Sequence, residues 1–195
     1  PQTTKDGRAM SENDDRAQRS GRGGRGKREG TVRGLALFAA LQATFADIHP
    51  VCDQWLQSSA DAVGKGQPGI EGARHCARHV AGYSAGQLAA AVAVTRVLGH
   101  RVPLAALLAG TAVNAVTHYV IDRREPLKKA AQALGKGGYL EHATVQRRPG
   151  AVDEAGPGTA LMELDQAAHR AIGVLASLTT TWLALRSRRA SRAVR

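Results

Sequence analysis

Val102–Ile121 reads VPLAALLAGTAVNAVTHYVI, with no Asp, Glu, Lys or Arg in 20 residues. That is about the length a helix needs to cross a bilayer. Apolar residues cover most of its helical surface rather than a single stripe, which marks a membrane helix or a deeply buried one. Three more apolar stretches surround it. Leu35–Ile48 (LALFAALQATFADI) is extendable through Pro50 to about Leu56, and His79–Gly99 is the second. Ala171–Leu185 is extendable back to Asp165. The expected fold is therefore all-α, a four-helix transmembrane bundle over residues 34–187. A soluble four-helix bundle is the competing reading.

The connections suit helices. His100-Arg101 with Pro103 makes a tight turn, and Pro103 fits a helix start. Residues 58–74 form a Gly-containing loop, and residues 123–164 a long loop with Pro126, Pro149 and Pro157. Pro126 can open a short basic amphipathic helix, PLKKAAQAL. No strand pattern stands out.

Residues 1–33 carry almost no large apolar side chain and cannot offset their ordering entropy by burial, so a disordered basic tail is expected. They lack the compact apolar run of a signal peptide. Residues 188–195 form a basic C-terminal tail. Ser20–Arg28, SGRGGRGKR, is a short Arg/Gly tract. Through residues 16–33 it can meet nucleic acid or anionic lipid by charge alone, or simply act as a solvated linker.

Composition narrows the function. The two cysteines exclude a disulfide framework and a four-cysteine zinc site. Aromatic residues at 4% are too few for a base-stacking platform. The net charge of +11 suggests nucleic acid or anionic lipid until it is sorted along the chain. If four helices alternate in direction, the termini share one side. That side holds 16 basic and 5 acidic residues, the other 11 of each. The positive-inside rule then places the termini in the cytoplasm. Seven basic residues in the long third loop count against this orientation.

Four short spacings carry the chemistry: His49/Asp53, His75/His79, His118/Asp122 and Asp165/His169. Each puts two metal-ligating side chains at i and i+4, on one helix face. His and Asp together make up 16 of the 195 residues. A given His should meet a His or Asp at a fourth neighbour about one time in six, so of seven His about one should be so placed; five are. In an alternating bundle all four pairs fall at the same end, in one layer. Ionisable groups near membrane depth are unfavourable unless paired or bound to metal. Solvated helix ends are the plainer reading of any single pair.

His49-x3-Asp53-x3-Gln57, Lys65, the His75/His79 region, His118-x3-Asp122 and Asp165-Gln166-x2-His169 together resemble an uncharacterised domain-of-unknown-function family of small bacterial inner-membrane proteins. In that family an H-x3-D-x3-Q segment ends the first membrane helix and a D-Q-x2-H segment opens the last. The likeness spans about residues 35–187. It implies location in the bacterial inner membrane. A weaker likeness is to predicted membrane-bound metal-dependent hydrolases. Pro50, directly after His49, departs from the pattern and is expected to kink or re-cap the first helix.

The expected ligands are His49, Asp53, His75, His79, His118, Asp122, Asp165 and His169. Imidazoles with carboxylates suit a divalent transition metal, zinc foremost, as one or two ions. Such a site can activate water for hydrolysis of a small-molecule or lipid substrate. Gln57, Gln166 and Lys65 can orient substrate, although structural roles are the commoner use of such residues. Cys52 and Cys76 lie in the same layer and can pair, ligate metal or simply pack; packing is the commoner fate of a free thiol. Gln42, Gln87 and Asn114 are expected to hydrogen-bond between helices. Two other functions stay open: a membrane protein without catalysis, and a nucleic-acid-binding protein acting through its tail.

Overall fold

The computed structural model describes residues 3–193; for residues 3–25, 27, 192 and 193 it describes the backbone alone. The chain divides into two units, Pro1–Leu37 and Phe38–Arg195. Helix α1 runs from Thr3 to Pro50. The stretch expected to be a disordered tail, residues 1–33, falls in the first of these units. Contacts of residues 16–25 and 27 with nucleic acid or lipid lie outside the described side chains.

Pro50 has no N–H to continue the helix. The backbone passes there into a π-helical turn, Val51–Trp55, closed by Leu56 N–H donating to the Val51 carbonyl at 3.2 Å. The wider turn buries Cys52 and Asp53. Helix α2 (Ser59–Gly64) follows, with the Ser58 hydroxyl capping Asp61 N–H. Helix α3 covers Gly69–Val97. It begins ten residues before the apolar stretch that announced it, so the 58–74 segment is not one loop. Gly99, at φ +70°, ends α3. Gly99 N–H reaches the Arg96 carbonyl at 3.0 Å and His100 N–H the Thr95 carbonyl at 2.7 Å, a Schellman ending.

Helix α4 is Leu104–Asp122, capped by Pro103, close to the boundaries its apolar run suggested. Helix α5 (Glu125–Ala133) carries the expected Pro126 in its first turn, and α6 covers Gly137–His142. A hairpin of β1 (Val145–Arg148) and β2 (Ala151–Asp153) comes next. No strand was expected. These strands are very short, and the Pro149-Gly150 turn selects them where alternation does not. Helix α7 runs from Ala160 to Ala193, with Thr159 Oγ1 accepting from Met162 N–H at 3.3 Å.

Within residues 38–195, α1, α3, α4 and α7 close into a ring of neighbours. Gln87 on α3 donates to the Phe45 carbonyl of α1 at 3.2 Å. Ser177 on α7 donates to Gln42 of α1 at 3.1 Å. Asn114 on α4 donates to Tyr83 of α3 at 3.4 Å. Helices α4 and α7 meet at Gly110, where an added Cβ would clash with Thr180 and lie 2.8 Å from the Ala176 carbonyl. Gln42, Gln87 and Asn114 therefore make the interhelix bonds expected of them.

The ring mixes apolar and polar side chains inside, with Leu41, Phe45, Leu107 and Ile172 among the buried ones, and exposes apolar side chains outside. Gln87, Thr95, Asn114, Ser177 and Thr180 are buried, while Leu104, Leu108, Val116, Leu175, Leu178 and Trp182 are exposed. Two helical stretches, Arg28–Trp55 and Leu104–Asp122, are long and apolar enough to cross a membrane. Residues 79–99 and 171–185 fall short of that measure among the described residues.

Candidate metal centre

Three elements bring four ligating residues together. The π-helical turn presents Asp53, the first half of α3 presents His79, and the last turn of α4 presents His118 and Asp122. All four are buried, and one ligand atom from each lies within 4.8 Å of the others. His79 Nε2 is 3.0 Å from His118 Nε2, 3.0 Å from Asp53 Oδ1 and 3.1 Å from Asp122 Oδ2. His118 Nε2 is 3.1 Å from Asp122 Oδ2 and 3.6 Å from Asp53 Oδ1. Two imidazole nitrogens and two carboxylate oxygens crowded in this way repel unless protons or a cation lie among them.

Asp122 also belongs to a second group, with Asp165 and His169 near the start of α7. His169 Nδ1 is 2.9 Å from the Asp165 carbonyl. That carbonyl only accepts, so Nδ1 carries the proton and the neutral ring presents Nε2. This nitrogen is buried without a partner among the described residues. Fixing one ring nitrogen so that the other offers a lone pair is how proteins orient histidine ligands.

His49 stands beside the cluster. Its ring is 5.0 Å from that of His169 and 5.9 Å from that of His118, centre to centre. Its Nε2 is 4.0 Å from Asp53 Oδ2, and its Nδ1 is 2.9 Å from the Tyr83 hydroxyl. Gln87 donates to that hydroxyl at 2.9 Å and Asn114 donates at 3.4 Å. The Tyr83 proton then points to His49 Nδ1, which leaves the proton of neutral His49 on Nε2. His49 is placed to orient or to carry a proton rather than to offer a lone pair.

His75 departs from the expected set. It sits on α3 one turn before His79, but its Nδ1 is 2.8 Å from Asp61 Oδ1 on α2. Arg78 holds the same carboxylate oxygen at 2.8 Å. The Ser58 hydroxyl and the His75 ring, with Arg78, hold the Asp61 carboxyl down at about 2. His75 thus clips α2 onto α3 and stays out of the cluster. Sharing a face with His79 was not enough, because α2 supplied a nearer acid.

Lys65, at the end of α2, reaches into the cluster. Its Nζ is 3.4 Å from Asp53 Oδ1, 3.2 Å from Asp122 Oδ1 and 3.4 Å from His79 Nε2. Burial works against the ammonium, but Asp122 and Asp53 outweigh it and hold Lys65 above its ordinary range. Arg123 donates to the Lys65 carbonyl at 2.7 Å and ties this segment to the end of α4.

A cavity of about 230 Å³ opens onto the carboxylate side of the cluster. Asp53, Asp122, Asp165, Lys65, Gln57 and Arg124 are among its walls. Gln166 turns instead to Asp165, at 3.3 Å. Both cysteines are buried free thiols; Cys76 Sγ lies 3.6 Å from the Tyr119 carbonyl, and Cys52 packs on Gly86. Sequence reasoning passed over Tyr83 and Asp61. Tyr83 had a signal, since it follows His79 by four residues and precedes Gln87 by four. Asp61 had none, because α2 was read as loop.

No protein-family model, curated protein or solved structure matches the chain.

Proposed function

We propose that this protein is an integral membrane metalloprotein whose His/Asp cluster holds one or two divalent transition-metal ions and serves a hydrolytic reaction. The observation that carries the reading is the convergence of Asp53, His79, His118 and Asp122 in a buried site. The unpartnered Nε2 of His169 supports a second position sharing Asp122. The donor set is imidazole and carboxylate without thiolate, which favours zinc and also suits manganese, iron or nickel over calcium. A metal in such a site supplies Lewis acidity and a water of lowered pKa. The chain's own part is to orient His169 through Asp165 and His49 through Tyr83, to hold a proton at His49 Nε2, and to admit substrate through the cavity.

The membrane reading rests on the apolar outer face of the bundle. Only 33% of the apolar window in α4 is buried, where a core helix of a soluble protein would be mostly covered. Apolar side chains outside with hydrogen-bonding groups between helices is the membrane pattern. Four spans, an inner-membrane location and cytoplasmic termini follow from the charge sorting and from the likeness to the uncharacterised family. They extend the two stretches that meet the length and hydropathy requirement. Alkaline carbonate extraction tests this: the protein should stay with the membrane pellet, and release into the supernatant would remove the assignment.

X-ray absorption at the edge of the bound metal tests the site. Nitrogen and oxygen scatterers at about 2.0–2.2 Å are expected. A sulfur shell near 2.3 Å would place the metal at the cysteines instead.

Lys65 favours a second reading. Its ammonium already lies within 3.4 Å of three cluster atoms, so a metal-free ionic network can stabilise the bundle without catalysis. On that reading Lys65→Met unfolds the protein and added metal does not restore it.

A further inference from the structure

The cavity beside the cluster carries a second cation whose use the metal reading leaves unexplained. Arg124 is half-buried in the cavity wall. Its guanidinium makes no hydrogen bond or ion pair with any described residue, whereas Lys65 is committed to Asp53 and Asp122. Its backbone is strained, with φ 61° and ψ −49°. Glu125 N–H donates to the Arg123 carbonyl at 2.7 Å across it. This is a γ-turn of the rare, strained kind. Among the described non-glycine residues only Arg124 has positive φ. Strain of this sort persists where the surroundings impose it and clusters at ligand sites. The guanidinium stem lies on the backbone of Gly66, where a Cβ would come within 2.6 Å of Arg124 Cδ. The turn, Gly66 and the Arg123–Lys65 bond thus hold one arginine at the mouth of the site, two residues beyond Asp122.

We infer that Arg124 binds the phosphate group of a phosphomonoester substrate, presenting it to the metal cluster. The inference rests on the metal reading above. Three carboxylates (Asp53, Asp122, Asp165) face two cations in the cavity wall, so without metal the lining repels an anion. A divalent ion reverses that sign. Guanidinium offers paired donors that match phosphate oxygens. By linkage, phosphate and metal must each tighten the other's binding.

The test is equilibrium dialysis of radiolabelled orthophosphate against the full chain in detergent, with metal content measured on the same samples. Arg124→Gln should keep its metal and bind phosphate about 10-fold to 100-fold more weakly than wild type. Arg148→Gln removes the same charge from the exposed hairpin and should bind phosphate as wild type does. Stripping the metal should abolish phosphate binding. Competition with glycerol 3-phosphate and with short-chain phosphatidic acid separates a soluble from a lipid source: displacement by either supports the phosphomonoester class, and displacement by neither overturns it. Protein that takes up metal but binds phosphate equally with Gln at 124, or loses binding equally with Gln at 148, overturns this inference alone. Protein that takes up no metal overturns the metal reading as well.

Discussion

Replacing Lys65 with methionine separates a site built for a metal from one built around an ammonium. Lys65 Nζ stands 3.2 Å from Asp122 and 3.4 Å from Asp53. At an effective dielectric near 20, each pair is worth about 5 kcal/mol of Coulomb attraction. Desolvation offsets much of that, and removing one partner of a buried pair costs about 3–5 kcal/mol. Chelator-treated Lys65→Met should therefore be less stable than chelator-treated wild type by about that amount, read as loss of helical circular dichroism on heating. Zinc should then fill the vacated charge. At 100 times its dissociation constant, a ligand returns about 2.7 kcal/mol. It should stabilise Lys65→Met more than wild type, where the ammonium competes for Asp53, Asp122 and His79. A metal-free Lys65→Met as stable as wild type would refute the electrostatic reasoning. A destabilised variant that zinc leaves unchanged would refute the metal.

Other outcomes follow from single contacts. Gly110→Val should destabilise the bundle by about 1–3 kcal/mol through overpacking of α4 on α7, measured by the same melt; no loss would mean the helices do not meet there. His75→Ala should leave metal content unchanged while His118→Ala lowers it, and equal losses would return His75 to the site. The Asp61 carboxyl is held at about 2, below its unfolded value. Its stabilising effect is thus fully present above the unfolded pKa near 4 and lost as pH falls through about 2. Asp61→Asn should therefore flatten the acid limb of the stability curve between these values, and an unchanged limb would contradict the clip. Arg124→Gly should relieve the strained turn and raise stability by up to about 1–3 kcal/mol; a clear loss in the melt would show that the turn is not strained.

Much of the bundle is written in local pattern. Helix α4 could be read from one uninterrupted apolar run, and α5 from Pro126 before a basic amphipathic stretch. The first ten residues of α3, GIEGARHCAR, could not, because charges there break the apolar signal while tertiary contacts with α2 sustain the helix. The hairpin at 145–153 escaped for a different reason: strands this short have no periodicity to detect. In the site, i and i+4 spacing found residues that α4 and α7 bring together, His118 with Asp122 and Asp165 with His169. It misjudged His75, because a shared face says nothing about which element lies opposite. The cavity and the placement of the Arg124 guanidinium in its wall depend on how the 64–67 and 122–125 segments fold against each other, which no spacing encodes.

The most direct test is metal content by mass spectrometry of the full chain purified in detergent, beside a variant carrying Asp53→Ala, His118→Ala and His169→Ala together. Wild type should retain about one or two equivalents of a divalent transition metal, as the shared Asp122 allows, and the triple variant essentially none. Wild type without bound metal, or a triple variant holding as much as wild type, would contradict the metal centre.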